Sequence, residues 1–116
     1  MKQTLTITIE RDWANGLRRD AAQAFQGKRV GNVLSFSEPE LFFGKLTANR
    51  WALVRSLQGA GALGVREAAR RVGRDVRRVH DDLQVLMELG LLEKTDDGKV
   101  LCPFDDIHVD MHVRAA

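Results

Sequence analysis

The apolar positions of this 116-residue chain change period several times, and each change marks an element. In "TLTITIE" (4–10), Leu5, Ile7 and Ile9 alternate with threonines, a period of two that predicts a half-buried strand. Trp13, Leu17, Ala21 and Phe25 then recur at every fourth residue. They predict a helix capped by Asp12 and ending at Gly27, with Gly16 as its weak point. Alternation returns in "NVLSFSE" (32–38), where Val33 or Leu34, with Phe36, are the candidate buried residues. Glu38-Pro39 opens a short helix through "ELFFGKL", because proline is tolerated in a first helical turn.

From Thr47 onward the helical period dominates. Thr47 is placed to cap "ANRWALVRSLQ", whose stripe is Trp51, Val54 and Leu57 or Leu53, and "GAGALG" (59–64) breaks that helix. "VREAARRV" (65–72) suits a two-turn helix with Ala68, Ala69 and Val72 inward. Gly73-Arg74 predicts a tight turn, Asp75 caps "VRRVHDDLQVLMEL", and Gly90 closes it. Val79, Leu83, Leu86 and Leu89 supply the buried face of this longer helix. "LLEKTDDGKVLCP" predicts two short strands around Asp97-Gly98, and "DIHVDMHV" (106–113) alternates strictly. The expected fold is α+β in three parts: an N-terminal β-α-β dimerisation or partner element over 1–46, a helical core with a hairpin over 47–103, and a C-terminal strand over 104–116 returning to the N-terminal sheet.

Composition narrows the class. Hydrophobic content of 44% and charged content of 29% match an ordinary globular chain and not a disordered tail. No apolar run approaches the ~20 residues that span a bilayer, and "MKQTLTITIERD" lacks the apolar block of a secretory signal. The single Cys102 cannot form an internal disulfide, so a cytoplasmic location and a structural thiol are expected.

Charge changes the picture more. The net +2 conceals a separation: residues 47–80 hold eight arginines against Glu67 and Asp75, a net of +6. Residues 81–116 hold Lys94, Lys99 and Arg114 against nine acidic residues, a net of −6. A concentrated basic patch is the footprint of a polyanion-binding surface, because a merely solvated helix face mixes its signs.

Helix, glycine turn, longer helix and hairpin, in that order, are the parts of a winged helix-turn-helix. In that arrangement the second helix enters the DNA major groove by its N-terminal turn, while the preceding helix and the hairpin meet phosphates. Val76, Arg77, Arg78 and His80 are therefore the candidate base-reading residues. Arg66, Arg70, Arg71, Arg74, Lys94 and Lys99 are the candidate phosphate contacts. Asp81 and Asp82 follow Arg77 and Arg78 by four residues, a spacing that orients each guanidinium at ~0.2–0.5 kcal/mol per pair. Asp81 has an alternative role as acceptor from cytosine N4.

The segment "VREAARRVGRDVRRVHDDLQVLMELGLLEK" resembles the helix-turn-helix core of MarR-like winged-helix transcriptional regulators: small residues in the first helix, glycine in the turn, a capped second helix and "LxxLxxLGLL" entering the wing. "TLTITIE" and "PFDDIHVDM" are similar to the ends of a smaller group of short DNA-binding proteins in that class. The resemblance implies a homodimeric, sequence-specific binder of double-stranded DNA, often a repressor, and for the smaller group a toxin protein as a further partner. Asp75 stands where many such proteins carry Ser or Thr, so base preferences do not carry over.

Leu5, Ile7 and Ile9, with Ile107, Val109 and Met111, are the candidate dimer or partner residues, since alternating terminal strands suit edge-to-edge pairing. The rival reading is a protein-interaction module such as an antitoxin. Trp13, Phe36, Phe42, Phe43 and Trp51 have apolar flanks and suit a core or an interface better than base stacking. His108, Asp110 and His112 share a strand face, but any alternating strand aligns its polar residues, so no metal and no cofactor is expected. No nucleophile-base spacing or phosphate loop points to an enzyme.

Overall fold

The computed structural model describes residues 3–9, 29–113 and 115; the expected helix with Trp13, Leu17, Ala21 and Phe25 lies outside them. Within these residues the alternating segments form one parallel sheet. β1 (Thr4–Ile9) is central, with β2 (Val33–Phe36) on one side and β5 (Asp106–Met111) on the other. Ile7 pairs with Leu34 and Val109, and Ile9 with Phe36 and Met111, so the apolar positions of all three strands fall on one face. Leu5, Ile7, Ile9, Leu34 and Phe36 are buried there, while Val33 points away and is exposed.

The helical segments follow their caps. Pro39 opens α1 (Pro39–Lys45), which buries Phe42 against the edge of Phe36, ring centroids 5.7 Å apart, and leaves Phe43 exposed. Trp51 packs on Phe42 from α2 (Ala48–Leu57), where Thr47 Oγ1 accepts from the Arg50 N–H. Leu53, Val54 and Leu57 are the buried residues of α2. α3 (Val65–Val72) buries only Ala68 and Ala69, small residues that let α2 and α4 close on it from two sides. Gly73 ends α3 with φ 67°, its N–H directed to the carbonyls of Ala69 and Arg70. Asp75 then accepts from the Arg78 N–H and starts α4 (Val76–Leu89), with Val79, Leu83, Leu86 and Leu89 inward. None of these helices is long and apolar enough to cross a membrane.

Past Gly90 the chain forms an antiparallel pair, β3 (Glu93–Lys94) and β4 (Val100–Leu101). Leu63, from the loop before α3, adds a third line by exchanging two 2.8 Å backbone hydrogen bonds with Val100. The architecture is α+β, and one contiguous core joins sheet and helices, running from Leu5 through Leu53 and Leu86 to Phe104. Each such fully buried side chain contributes about 1.5–3 kcal/mol.

Two polar fastenings set the angles between these parts. The first is Asp82, whose carboxylate receives Arg50 Nε of α2 at 3.0 Å and lies 2.8 Å from Arg74 Nη2 of the turn. This corrects the expected pairing of Asp81 and Asp82 with Arg77 and Arg78. A helix turns about 100° per residue, so with Val79 at the core Asp82 falls on the flank facing α2, and Asp81 points outward. The second is Arg29, which lies over the Phe104 ring at 5.0 Å, pairs with Glu93 at 3.1 Å and passes across Gly90. Its own N–H donates to the Leu89 carbonyl at 3.0 Å, so the entry to β2 is tied to the end of α4.

Two measurements of unfolding by urea probe these fastenings. Gly73 and Gly90 both have positive φ, but a Cβ at Gly73 meets nothing whereas one at Gly90 would lie 2.6 Å from Arg29 Cβ. Gly73→Ala is expected to cost about 1–2 kcal/mol, and Gly90→Ala distinctly more; equal losses would remove the close approach as a constraint. Asp82→Ala strands two half-buried guanidiniums and is expected to cost about 1–3 kcal/mol, between exposed and buried ion pairs. Asp81→Ala, on the exposed side, should stay within about 0.5 kcal/mol, and a similar loss from both would refute the clamp.

Candidate functional site

The arginine-rich segment occupies α3, the Gly73 turn and the first turn of α4, and its six guanidiniums differ in what they touch. Glu67 on α3 binds two of them. Arg70 Nε donates to Glu67 Oε1 at 3.0 Å and Arg70 Nη2 to Oε2, while Arg71 Nε also donates to Oε2 at 3.0 Å. The hydrogen bonds from Arg70, then those from Arg71, hold the Glu67 carboxyl below its ordinary range, and Glu67 in turn raises Arg70. Arg74 is engaged by Asp82 and is only 21% exposed, with one guanidinium nitrogen, Nη1, buried and without a hydrogen-bond partner among the described residues.

Arg66, Arg77 and Arg78 are exposed and have no acidic partner among the described residues. Their positions follow from the helix turn. Arg77 stands opposite the buried Val79 on the crest of α4, and Arg78 and His80 lie on its two flanks. Val76, at the first position, is 38% exposed. Beyond this turn the crest continues with Asp81, Gln84 and Glu88, so the outward face changes sign within one turn. His80 Nδ1 lies 3.7 Å from Asp81 Oδ1.

The hairpin carries less free charge than its lysines suggest. Lys94 is exposed with no ion-pair partner among the described residues, but Lys99 Nζ lies 4.0 Å from Asp97 Oδ2. Thr95 Oγ1 donates to Asp97 and lowers that carboxyl's pKa, which keeps an anion beside Lys99 at the tip. Neither lysine shares an ion pair with the helices among the described residues. The structure thus assembles Arg70 and Arg71 on one carboxylate and Arg74 on another, and among the described residues leaves Arg66, Arg77, Arg78 and Lys94 without an acidic partner.

Residues that the sequence pattern did not single out also contribute. Arg50 and Arg29 carry no local signal for their roles, because their partners lie 32 and 64 residues away. Arg55 faces a shallow groove of about 420 Å³ between α2 and α3, shared with Ala52, Ser56, Arg71 and Val72. It extends the basic surface along the side of α3. Cys102 is half-buried, its thiol pushed above the ordinary range by burial and directed at the Phe104 carbonyl at 3.5 Å. It is a packed thiol and a poor nucleophile at neutral pH.

The candidate dimer residues divide between the strands. Leu5, Ile7 and Ile9 lie inside the chain's own core; Ile107 is half-buried; Val109 and Met111 are each 38% exposed. Just past the end of β5, His112 Nε2 is 3.2 Å from Asp110 Oδ1 of the strand's other face. Among the described residues no three His, Cys, Asp or Glu side chains group to hold a metal ion.

No curated protein and no solved structure matches this chain. A family model does, over residues 45–109, from the end of α1 through the helices and hairpin into β5. The match takes in more than half of the chain, which therefore belongs to the HVO_A0114 family.

Proposed function

We propose that the protein is a winged helix-turn-helix regulator of the MarR-like kind, working as a homodimer on double-stranded DNA in the cytoplasm. In this reading α3 and α4 are the helix pair, and the hairpin with its added Leu63 line is the wing. The segment over 1–46, with the C-terminal strand, serves assembly or partner contact. The observation that carries the reading is the set of exposed arginines with no acidic partner among the described residues, Arg77 and Arg78 in the first turn of a helix that follows a left-handed glycine turn, and Arg66 on the helix before it. Free guanidiniums at that place fit bidentate contact with guanine O6 and N7 and with phosphates. The acidic crest from Asp81 onward supports a shallow approach, in which only the first turn of α4 meets the groove. Repression then follows from occupying the operator. The antitoxin reading has its own support in the exposed β5, and capture of a toxin by the full chain, with no duplex binding, would favour it.

Selection of bound sequences from random duplexes, followed by titration, tests the DNA reading. Arg78→Ala is expected to weaken the selected site by ~1–3 kcal/mol and to relax preference at one base position. A uniform loss on every sequence would place Arg78 on a phosphate instead. Salt titration separates the arginines of α3. Arg66→Ala should lower the slope of log K against log salt by about 0.9. Glu67→Gln, which releases Arg70 and Arg71, should raise affinity for any duplex and steepen that slope. Unchanged binding by Glu67→Gln would remove Arg70 and Arg71 from the contact surface.

A further inference from the structure

Among the described residues, β5 is a strand left open on one side: it pairs with β1, and no strand pairs with its other edge. None of its residues is buried, although Val109 and Met111 continue the apolar rows of Ile7 and Ile9. An open edge with an apolar face invites pairing, and natural sheets normally cover, charge or pair such edges.

The order of its side chains specifies the partner. Asp106, His108 and Asp110 alternate along one face, with His112 following just past the strand's end, and Ile107, Val109 and Met111 lie along the other. Two identical edges that meet antiparallel are related by a two-fold axis normal to the sheet. Such an axis keeps each face on its own side, so only residues of equal parity stand opposite one another. With the axis at Val109, Asp106 meets His112 of the second copy and His108 meets Asp110. On the other face Val109 meets Val109, and Ile107 meets Met111.

Neighbouring registers are worse. An axis at His108 sets Asp106 against Asp110 and His108 against itself; an axis at Asp110 sets His108 against His112 and Asp110 against itself. Like charges directly opposite are destabilising. An axis at Ile107 or Met111 matches signs but keeps only half of the Asp–His pairs. We propose that two copies of this chain join through β5, paired antiparallel about Val109, into one continuous sheet.

This seam rests on the homodimer of the reading above and specifies it. Among the described residues, β1 brings only Thr4, Thr6 and Thr8 to the face that carries Asp106, His108 and Asp110, so it offers those side chains no competing charge.

Sedimentation of the full chain, without DNA, tests the seam. Wild type is expected to be dimeric at micromolar concentration, held by four cross-strand pairs of modest strength beside the apolar row. Asp106→Lys with Asp110→Lys makes the polar face basic; His108→Asp with His112→Asp makes it acidic. At pH 6 each variant alone should be a monomer, and an equimolar mixture should form heterodimers. All four positions are exposed, so the fold is expected to survive, and circular dichroism checks it. Should a variant not fold, Val109→Lys, which sets two lysines at the axis, gives the same monomer readout. A monomeric wild type, self-association by both charge variants, or a mixture that stays monomeric would each overturn the seam. A monomer that still binds a selected duplex would overturn it and leave the DNA reading standing, whereas a β5 dimer indifferent to duplex would do the reverse.

Discussion

The carboxylate of Asp82 is the contact on which the arrangement of this protein's basic surface depends. Arg50 and Arg74 approach it from two directions, and it is the acid that fastens the turn before α4 to α2. Six arginines between positions 66 and 78 repel one another, and a short helix with only two buried alanines has little apolar grip of its own. A half-buried acid that draws in two guanidiniums offsets that repulsion. It also fixes the direction in which the first turn of α4 projects.

The same economy of acids sorts the arginines into kinds. Glu67 and Asp82 take up the charges that shape the helix pair, and Arg66, Arg77 and Arg78 are left facing solvent. Free and engaged arginines are therefore interleaved along the sequence. A count of positive charge overstates what a polyanion can reach, while the ion-pair pattern shows where the accessible charge sits. At the hairpin tip Asp97 has a comparable effect on Lys99.

Much of the fold could be read from sequence because its elements announce themselves locally. Alternation identified β1, β2 and β5, and the caps Thr47 and Asp75 and the glycines 73 and 90 marked helix ends to within a residue. The pairing of charges was less legible. The i,i+4 rule pointed Asp82 at Arg78, but the rule treats a helix as isolated, and a partner on α2 offered a less solvated site. Arg29 escaped for the same reason, since its partners are assembled only by the tertiary fold. Whether the apolar face of β1 served an interface or a core was equally hidden, because a period of two describes burial without saying by what; the structure places Leu5, Ile7 and Ile9 in the core.

The crossing of Arg29 over Gly90 holds one end of α4, while the Asp82 ion pairs hold the helix nearer the other. Its far end, at Arg77, stands about 20 Å away at 1.5 Å of rise per residue. At that length each ~5° of play at the pivot displaces the tip by about 2 Å, more than the tolerance of a directed hydrogen bond. The absence of a side chain at Gly90, which lets Arg29 lie close, thus shares with Asp82 the angular precision of the helix's first turn.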